Sequence, residues 1–449
     1  MSNLLFKKII TLSGLIILLM VALSMTSGVI SERNRYQAEA SANIASSWTG
    51  SQQITGPFIV MPYLVKVESE IWDAQKLEKI LKSEMQRRVL YVLPNTLDIA
   101  GDVPTELRYR GIYKVPVYSS KLKFSGEFEY SALEEHKKSI KNADSWEAPY
   151  LTVIINDIRG IAANPKLLWQ EQQIAFKAAS LVRGAPQGIH APLALDEAQT
   201  YRFAFDLDLR GSENLSFTPI GLNTTVALTS DWQHPSFKGM YLPASSTVDE
   251  HGFSANWQLS SFSSNIDLPL QTCANGQCGE LLNQKFGVSL MEGINIYHLS
   301  ERSIKYGILF ISLTFIAFLV YEITKKQAIH PVQYLLVGLA LAIFYLLLIS
   351  LSEHIAFAQA YMSAACACTG LLGYYLSAVL KSIRAGVLFT VMLGLLYAML
   401  YVIINSEDSA LLMGSGVLFL MLAILMGVTR HIDWYKLKNS EDWNIDTVS

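Results

Sequence analysis

Three groups of polar side chains in this chain have the types and spacing to do chemistry. The first is Asp231-Trp-Gln-His-Pro-Ser-Phe-Lys-Gly239, with an acid, a histidine and a serine inside six residues. These are the parts of a nucleophilic triad, but triads assemble from distant segments, each part with its own geometry. His234 precedes Pro235, so the backbone is extended there and then turns. The plainer reading is a turn that displays an aromatic cluster; if the segment binds, Trp232, His234 and Phe237 are the candidates for a recognition surface. The second group is Asp157-Ile-Arg-Gly-Ile161, in which Arg159 could clamp an anion or close the turn on its own aspartate. The third joins Ser352-Glu353-His354 to Asn405-Ser-Glu-Asp-Ser409. Glu353, His354, Glu407 and Asp408 could support acid/base work or bind a cation at the membrane face; the alternative is a pair of solvated loops.

The motifs of better-defined chemistry are missing. The chain has no Gly-rich phosphate loop, no H-E-x-x-H, no G-x-S-x-G and no kinase set. No cofactor is expected, and no metal. Cys273 and Cys278 lie in Thr-Cys-Ala-Asn-Gly-Gln-Cys-Gly, and an oxidising compartment would make them a disulfide. Half a zinc site is the rival, but no second Cys pair and no nearby His supports it. Cys366 and Cys368 stand two apart in an apolar run, so on a helix they point about 200° apart and cannot share an ion. Ser363 to Gly370 reads instead as a small-residue packing face.

The elements that carry these groups follow from hydropathy. Of the 449 residues 51% are hydrophobic and 16% charged, against roughly 25% charged in soluble proteins. The deficit sits in six apolar runs: Ile9–Val29, Tyr306–Tyr321, Tyr334–Leu351, Ile355–Leu380, Val387–Ile404 and Leu411–Val428. A bilayer core needs about 20 such residues of helix. The first run is longer than a signal-peptide core and lacks a good cleavage site, so it reads as an anchor. The spans carry no Asp, Glu, Lys or Arg in their interiors, with Glu322 at an end, which argues against an ion-coupled transporter. The net charge of −3, with no long basic run, implies neither a nucleic-acid partner nor a polybasic lipid patch. The lipid bilayer is the partner that composition does imply.

Short-loop charges orient the chain. With the N-terminus inside, the inner segments hold Lys7 and Lys8; Lys325, Lys326 and His330; Lys381 and Arg384; and Arg430, His431, Lys436 and Lys438, while the outer short loops hold no Lys or Arg. The fold expected is an α+β membrane protein: residues 1–8 cytoplasmic, 9–30 a transmembrane anchor, 31–302 a large antiparallel β-rich, sandwich-like exported domain, 303–429 a bundle of five transmembrane helices, and 430–449 a cytoplasmic tail.

Within the exported segment, Ser31–Ser46 is Ala-rich and extends the first helix. Period-two runs then predict strands at Phe58–Met61, Val89–Leu93, Gly111–Tyr118, Leu122–Tyr130, Tyr150–Ile155, Tyr201–Leu209, Leu215–Phe217, Thr224–Thr229 and Gly252–Leu259. Turn residues between so many short strands point to a sandwich. Trp72–Arg88 carries apolar residues at helical spacing and reads as a surface helix or a long hairpin tip. Two N-x-S/T triplets, at Asn214 and Asn223, matter only in a eukaryotic secretory route.

Strings in this order resemble the CreD family of bacterial inner-membrane proteins. They are Asp231–Gly239, Arg302-Ser-Ile-Lys-Tyr306, His330-Pro-Val-Gln-Tyr-Leu-Leu-Val-Gly-Leu339, Leu351-Ser-Glu-His354, Asn405-Ser-Glu-Asp-Ser-Ala-Leu-Leu412 and Arg430-His-Ile-Asp-Trp-Tyr435. The resemblance implies an N-terminal span, a large periplasmic domain, a C-terminal cluster of spans and a role in cell-envelope integrity. It implies no catalytic residue, and it makes the periplasm the compartment of Cys273 and Cys278. Two hypotheses follow. One is a non-enzymatic envelope protein that binds an envelope component or protein through the β-domain. The other is a membrane enzyme or transporter acting on a lipid or cell-wall intermediate at the outer leaflet.

The loop charges give a direct expectation. Reporter fusions after Ser303, Lys326, His354, Ile383, Asp408 and Lys438 should read out, in, out, in, out, in. A cytoplasmic reading at Asp408 would break the scheme.

Overall fold

The computed structural model describes residues 3–73, 78–195, 199–290, 296–325, 327–406 and 410–430. It divides into two compact units, Met1–Gln37 with Ile294–Ser449, and Ala38–Gly293.

The first unit is helical. Helix α1, Asn3–Ser47, is one continuous element, about 67 Å long at ~1.5 Å per residue, and its far end passes into the second unit. The apolar run forms its first part and the Ala-rich segment extends it, as the sequence predicts. Helices long and apolar enough to cross a membrane are found at Phe6–Ser47, Ile296–Lys325, Pro331–Ser352, Phe357–Val379 and Ile383–Asn405; Leu412–Ile424 is a shorter apolar stretch.

Local chemistry sets the helix ends in the first unit. Pro331 occupies the first turn of the helix Pro331–Ser352, where a missing N–H costs nothing. His330 caps it: His330 Nδ1 accepts from the Val332 N–H at 3.3 Å, and Gln333 Oε1 accepts from the His330 N–H at 3.0 Å. Ser382 Oγ caps Ile383–Asn405 by accepting from the Ala385 N–H. Small residues admit large neighbours. A Cβ on Gly338 would strike Leu19, and one on Gly307 would crowd Leu23 and Tyr345, so α1 packs its leucines into glycine gaps. On Phe357–Val379, Ala360, Ala364, Ala365 and Cys368 are buried while Cys366 is exposed.

The second unit is a sandwich of two sheets. Its strands are β1 Gln52–Asp73, β2 Glu78–Val92, β3 Thr96–Asp102, β4 Thr105–Arg110, β5 Tyr113–Glu129, β6 Ala143–Trp146, β7 Tyr150–Ile155, β8 Lys166–Trp169 and β9 Gln172–Ala175. They continue with β10 Lys177–Ala178, β11 Gly188–Pro192, β12 Thr200–Ser212, β13 Asn214–Thr218, β14 Asn223–Ser230, β15 Ser236–Gly239, β16 Ser245–Asp249, β17 Gly252–Ser260 and β18 Phe286–Ser289. One sheet runs β10-β11-β7-β1-β13-β18-β15, with β2 and β6 also on β1; the other runs β16-β17-β14-β3-β5-β12-β8-β9, with β4 on β5. One core cluster draws on both, with Ile59, Val153 and Phe217 from the first and Ile99, Phe124, Phe205 and Trp257 from the second. That shared core defines a sandwich.

The sheets are mixed rather than purely antiparallel. β1 runs parallel to β13, and β14 runs parallel to β3; all other pairs are antiparallel. In both parallel pairs the partners lie far apart in sequence, as parallel pairing demands. The described residues of Trp72–Arg88 are strand, not helix: β1 and β2 stay in register from Ile59↔Val92 to Asp73↔Glu78. The expected strands at Gly111–Tyr118 and Leu122–Tyr130 are one strand, β5. Pro116 is tolerated because β12 pairs with β5 only as far as Val117.

β7 is buried at every position, which marks a strand covered on both faces. Its outer cover is formed by short helices at Asp267–Ala274 and Gly279–Asn283, whose Leu270, Cys273, Cys278 and Leu281 pack with Phe58, Tyr91 and Ile154.

Trp257 ties the two sheets together. It is fully buried, meets Phe237 and Phe286 of the facing sheet at 5.7 Å each, and donates from Nε1 to the Tyr241 carbonyl. Trp257→Ala should destabilise the protein by about 3–5 kcal/mol, seen as a lower denaturation midpoint for the β-domain transition.

Candidate functional site

The turn from Asp231 to Gly239 is built for holding. Asp231 Oδ1 accepts from Thr105 twice, from the backbone N–H at 2.9 Å and from the hydroxyl at 2.7 Å. The Trp232 N–H donates to Ser230 Oγ, and its indole Nε1 donates to the His234 carbonyl at 3.0 Å, closing the turn on itself. Phe237 packs edge-on against Phe253 and Trp257. Trp232 and Phe237 are thus half-buried against the core, and His234 alone of the three predicted recognition residues is exposed. Both rings are drawn part-way into the sandwich by apolar burial, so the turn displays them only in part. The partner of Asp231 is Thr105 rather than His234, so the acid is not placed to orient the imidazole. Gly239, at φ +105°, is required: a Cβ there would meet the Lys285 carbonyl at 2.1 Å.

Arg159 lies on a short 3-10 turn, Ile158–Gly160, capped by Asp157. Its Nε and Nη2 grip the Asp157 carboxylate at 2.9 and 2.6 Å, and its Nη1 donates to the Ser46 carbonyl at 2.9 Å. Buried Gln52 fixes the same turn, donating to the Asp157 and Arg210 carbonyls and accepting from the Asp157 N–H. These hydrogen bonds from Arg159 hold the Asp157 carboxyl below the ordinary carboxylate value, and the carboxylate in turn raises the Arg159 guanidinium. A cleft of about 500 Å3 opens beside the pair, lined by Ser46, Ser51, Asn156, Asp157, Arg159 and Gln187. An anion entering it would have to displace a bidentate carboxylate. Arg159 thus closes the turn on its own aspartate while its side chain stays 58% exposed beside the cleft.

The membrane-face group divides. Glu353 is nearly buried; it pairs with Arg33 at 3.5 Å and accepts from the Tyr297 hydroxyl at 3.4 Å. His354 next to it is exposed, with its N–H bonded to the Leu351 carbonyl. Glu407 and Asp408 lie outside the described residues. The Glu353 carboxylate therefore clamps two helices, with basic and phenolic partners. Cys273 and Cys278 are joined as a disulfide, and both are buried. No group of three or more His, Cys, Asp or Glu among the described residues could hold a metal ion.

The sequence reading passed over the most buried charge. Glu322 is fully buried, and it pairs with Lys8 of α1, whose side chain is 17% exposed. The Tyr334 hydroxyl donates to Glu322 Oε2 at 2.9 Å, the Ile329 N–H donates to Oε1 at 3.2 Å, and Lys8 Nζ donates to the Ile329 carbonyl at 3.1 Å. Lys8 and Glu322 stand 314 positions apart, so local spacing could not have joined them. The signal that was available is an acid at the end of an apolar run, which demands a counter-charge.

A helical unit with helices long and apolar enough to cross a membrane, and a mixed β-sandwich inserted in sequence after its first helix, define the class: an integral membrane protein with one large β-domain. The family profile described as "Inner membrane protein CreD" matches residues 4–435. The Inner membrane protein CreD of Escherichia coli (strain K12) is 36% identical over 453 residues, covering 98% of this chain and 97% of that protein. The chain belongs to the CreD family and is a multi-pass inner-membrane protein.

Asp157 gives a pH expectation with a definite sign. A depressed folded value means that the contribution of the pair is complete above the unfolded carboxylate value, about 3.9, and is lost as pH falls through the lower folded value. Acid unfolding should therefore begin at higher pH in Asp157→Asn, with neutral-pH stability reduced. Identical acid transitions in the two proteins would show that the pair contributes nothing.

Proposed function

We propose that this CreD-family protein is a non-enzymatic envelope-integrity factor whose β-domain lies in the periplasm and binds a protein partner as an added strand. Both chain termini lie in the cytoplasm in this reading, and the apolar helix that includes Leu412–Ile424 is the sixth span. The orientation rests on the loop charges.

The observation that carries the binding reading is an open edge. β15 ends the order of one sheet and β16 ends the order of the other. Residues 240–244 join them, with Met240 and Leu242 strongly exposed at 63% and 71%. β16 is exposed at every position. A strand paired on one side only offers backbone N–H and C=O groups that an extended segment can complete, and apolar side chains beside it supply affinity. His234 opens the same segment. Of the polar groups that suggested chemistry, Asp231, Arg159 and Glu353 are engaged by Thr105, Asp157 and Arg33, which weighs against an enzyme reading.

The test is photo-crosslinking in the envelope from residues 234, 242 and 247, with residue 173 on the far edge strand β9 as control. A discrete protein adduct should form from the first three and not from the control. His234→Ala with Leu242→Asp should remove it at normal protein level and leave a strain lacking the wild-type protein sensitive to detergent. If instead only Glu353→Gln or His354→Ala loses function, the outer-leaflet enzyme or transporter reading replaces this one.

A further inference from the structure

We propose that Glu322, the Ile329 backbone and Tyr334 form a preorganised binding site for a primary ammonium ion, filled in the native chain by Lys8. Four features carry it. The carboxylate is fully buried, so it needs a compensating positive charge. Its orientation does not depend on Lys8, because the Ile329 N–H holds Oε1 and the Tyr334 hydroxyl holds Oε2. The ammonium has a second acceptor in the Ile329 carbonyl at 3.1 Å. The Tyr334 ring lies with its centroid 5.7 Å from Nζ, within cation–π range. Tyr334 and Ile329 are themselves 1% and 5% exposed.

The walls come from the end of the helix Gly307–Lys325, the segment after it and the start of the helix Pro331–Ser352; the guest comes from α1. His330 and Gln333 stiffen this corner through the capping box described above. Phe315 and Phe318 meet the Tyr334 ring at 5.4 and 5.8 Å and fix its plane. The leucine–glycine contacts of α1 at Gly338 and Gly307 are apolar and do not resist sliding or rotation as a charge does. The ammonium site supplies a directional bond at this end of α1, as Arg33–Glu353 does further along, so its occupancy fixes the register of the N-terminal turns of α1 against the bundle. Lys8 was counted in the sequence as a topology charge; in the fold it is a tethered ligand.

A free amine should then replace the tethered one. In full-length protein in detergent, Lys8→Ala should lower the melting temperature by about 6 °C or more, because it strands a buried carboxylate. Ammonium or methylammonium chloride should restore a substantial part of that loss. Sodium and tetramethylammonium chloride at equal ionic strength should not, since neither can donate N–H bonds to a carboxylate and a carbonyl. Wild type and Lys8→Ala/Glu322→Gln should show no amine response. If Lys8→Ala cannot be purified, addition of Glu322→Gln decides: recovery of the double variant supports a buried charge left unpaired, and equal failure overturns the proposal. Amine-independent melting of Lys8→Ala also overturns it, as does a Lys8→Ala protein as stable as wild type. The result is independent of the partner-binding reading, which concerns the other unit of the chain.

Discussion

A backbone or side-chain polar group taken out of water must find a partner inside the protein, and both units of this chain are organised by that demand. In hydrocarbon the demand is met within each helix, because no neighbouring solvent can help. In the sandwich it is met across strands, and β1 shows how: it pairs with β2, β6, β7 and β13 along its length. One 22-residue strand thereby completes the backbone of four others and anchors a sheet whose members come from widely separated segments. Where the pairing stops, at β15 and β16, the same demand leaves an open edge.

Charge obeys the same rule at higher cost. An isolated ion in an apolar interior carries a penalty of many kcal/mol, so burial selects for pairs with extra hydrogen bonds. Glu322 has Lys8, Tyr334 and Ile329 around it; Glu353 has Arg33 and Tyr297. Each pair brings α1 to later helices of the same unit. Dispersion between leucines and glycine gaps supplies contact area along α1, while the two ion pairs supply direction.

Periodicity made much of this fold legible. Six apolar runs mark the helices, and alternation at Tyr201–Leu209 or Thr224–Thr229 reports one buried face, as the burial pattern of β12 and β14 confirms. Strands such as β3 and β16 escaped because they bury too little, while β18, buried at all four positions, is too short to show an alternation. β3 has two core side chains, Leu97 and Ile99, in seven residues, and β16 has none. The two parallel pairings were illegible for a different reason: register between segments more than a hundred residues apart leaves no local mark. The candidate sites divide along the same line. The Asp157–Arg159 pair was visible because its partners are two residues apart. The partners of Asp231, Glu353 and Glu322 were not, since Thr105, Arg33 and Lys8 lie far away in sequence.

That division bears on how chemistry is inferred from such a chain. An acid, a base and a hydroxyl close in sequence look reactive because nothing local shows what occupies them. In the fold, Asp231 is engaged by Thr105, Arg159 by Asp157 and Ser46, and Glu353 by Arg33 and Tyr297. A group whose lone pairs or N–H bonds are already spent inside the protein must break those bonds before it can meet a substrate, and each break costs about what the new bond returns. Binding capacity therefore shifts to groups that folding leaves unspent. In the β-domain these are the outward backbone of the edge strands and the apolar side chains of Met240 and Leu242 beside it. A surface of that kind would select a partner by extended shape and backbone hydrogen bonding more than by charge.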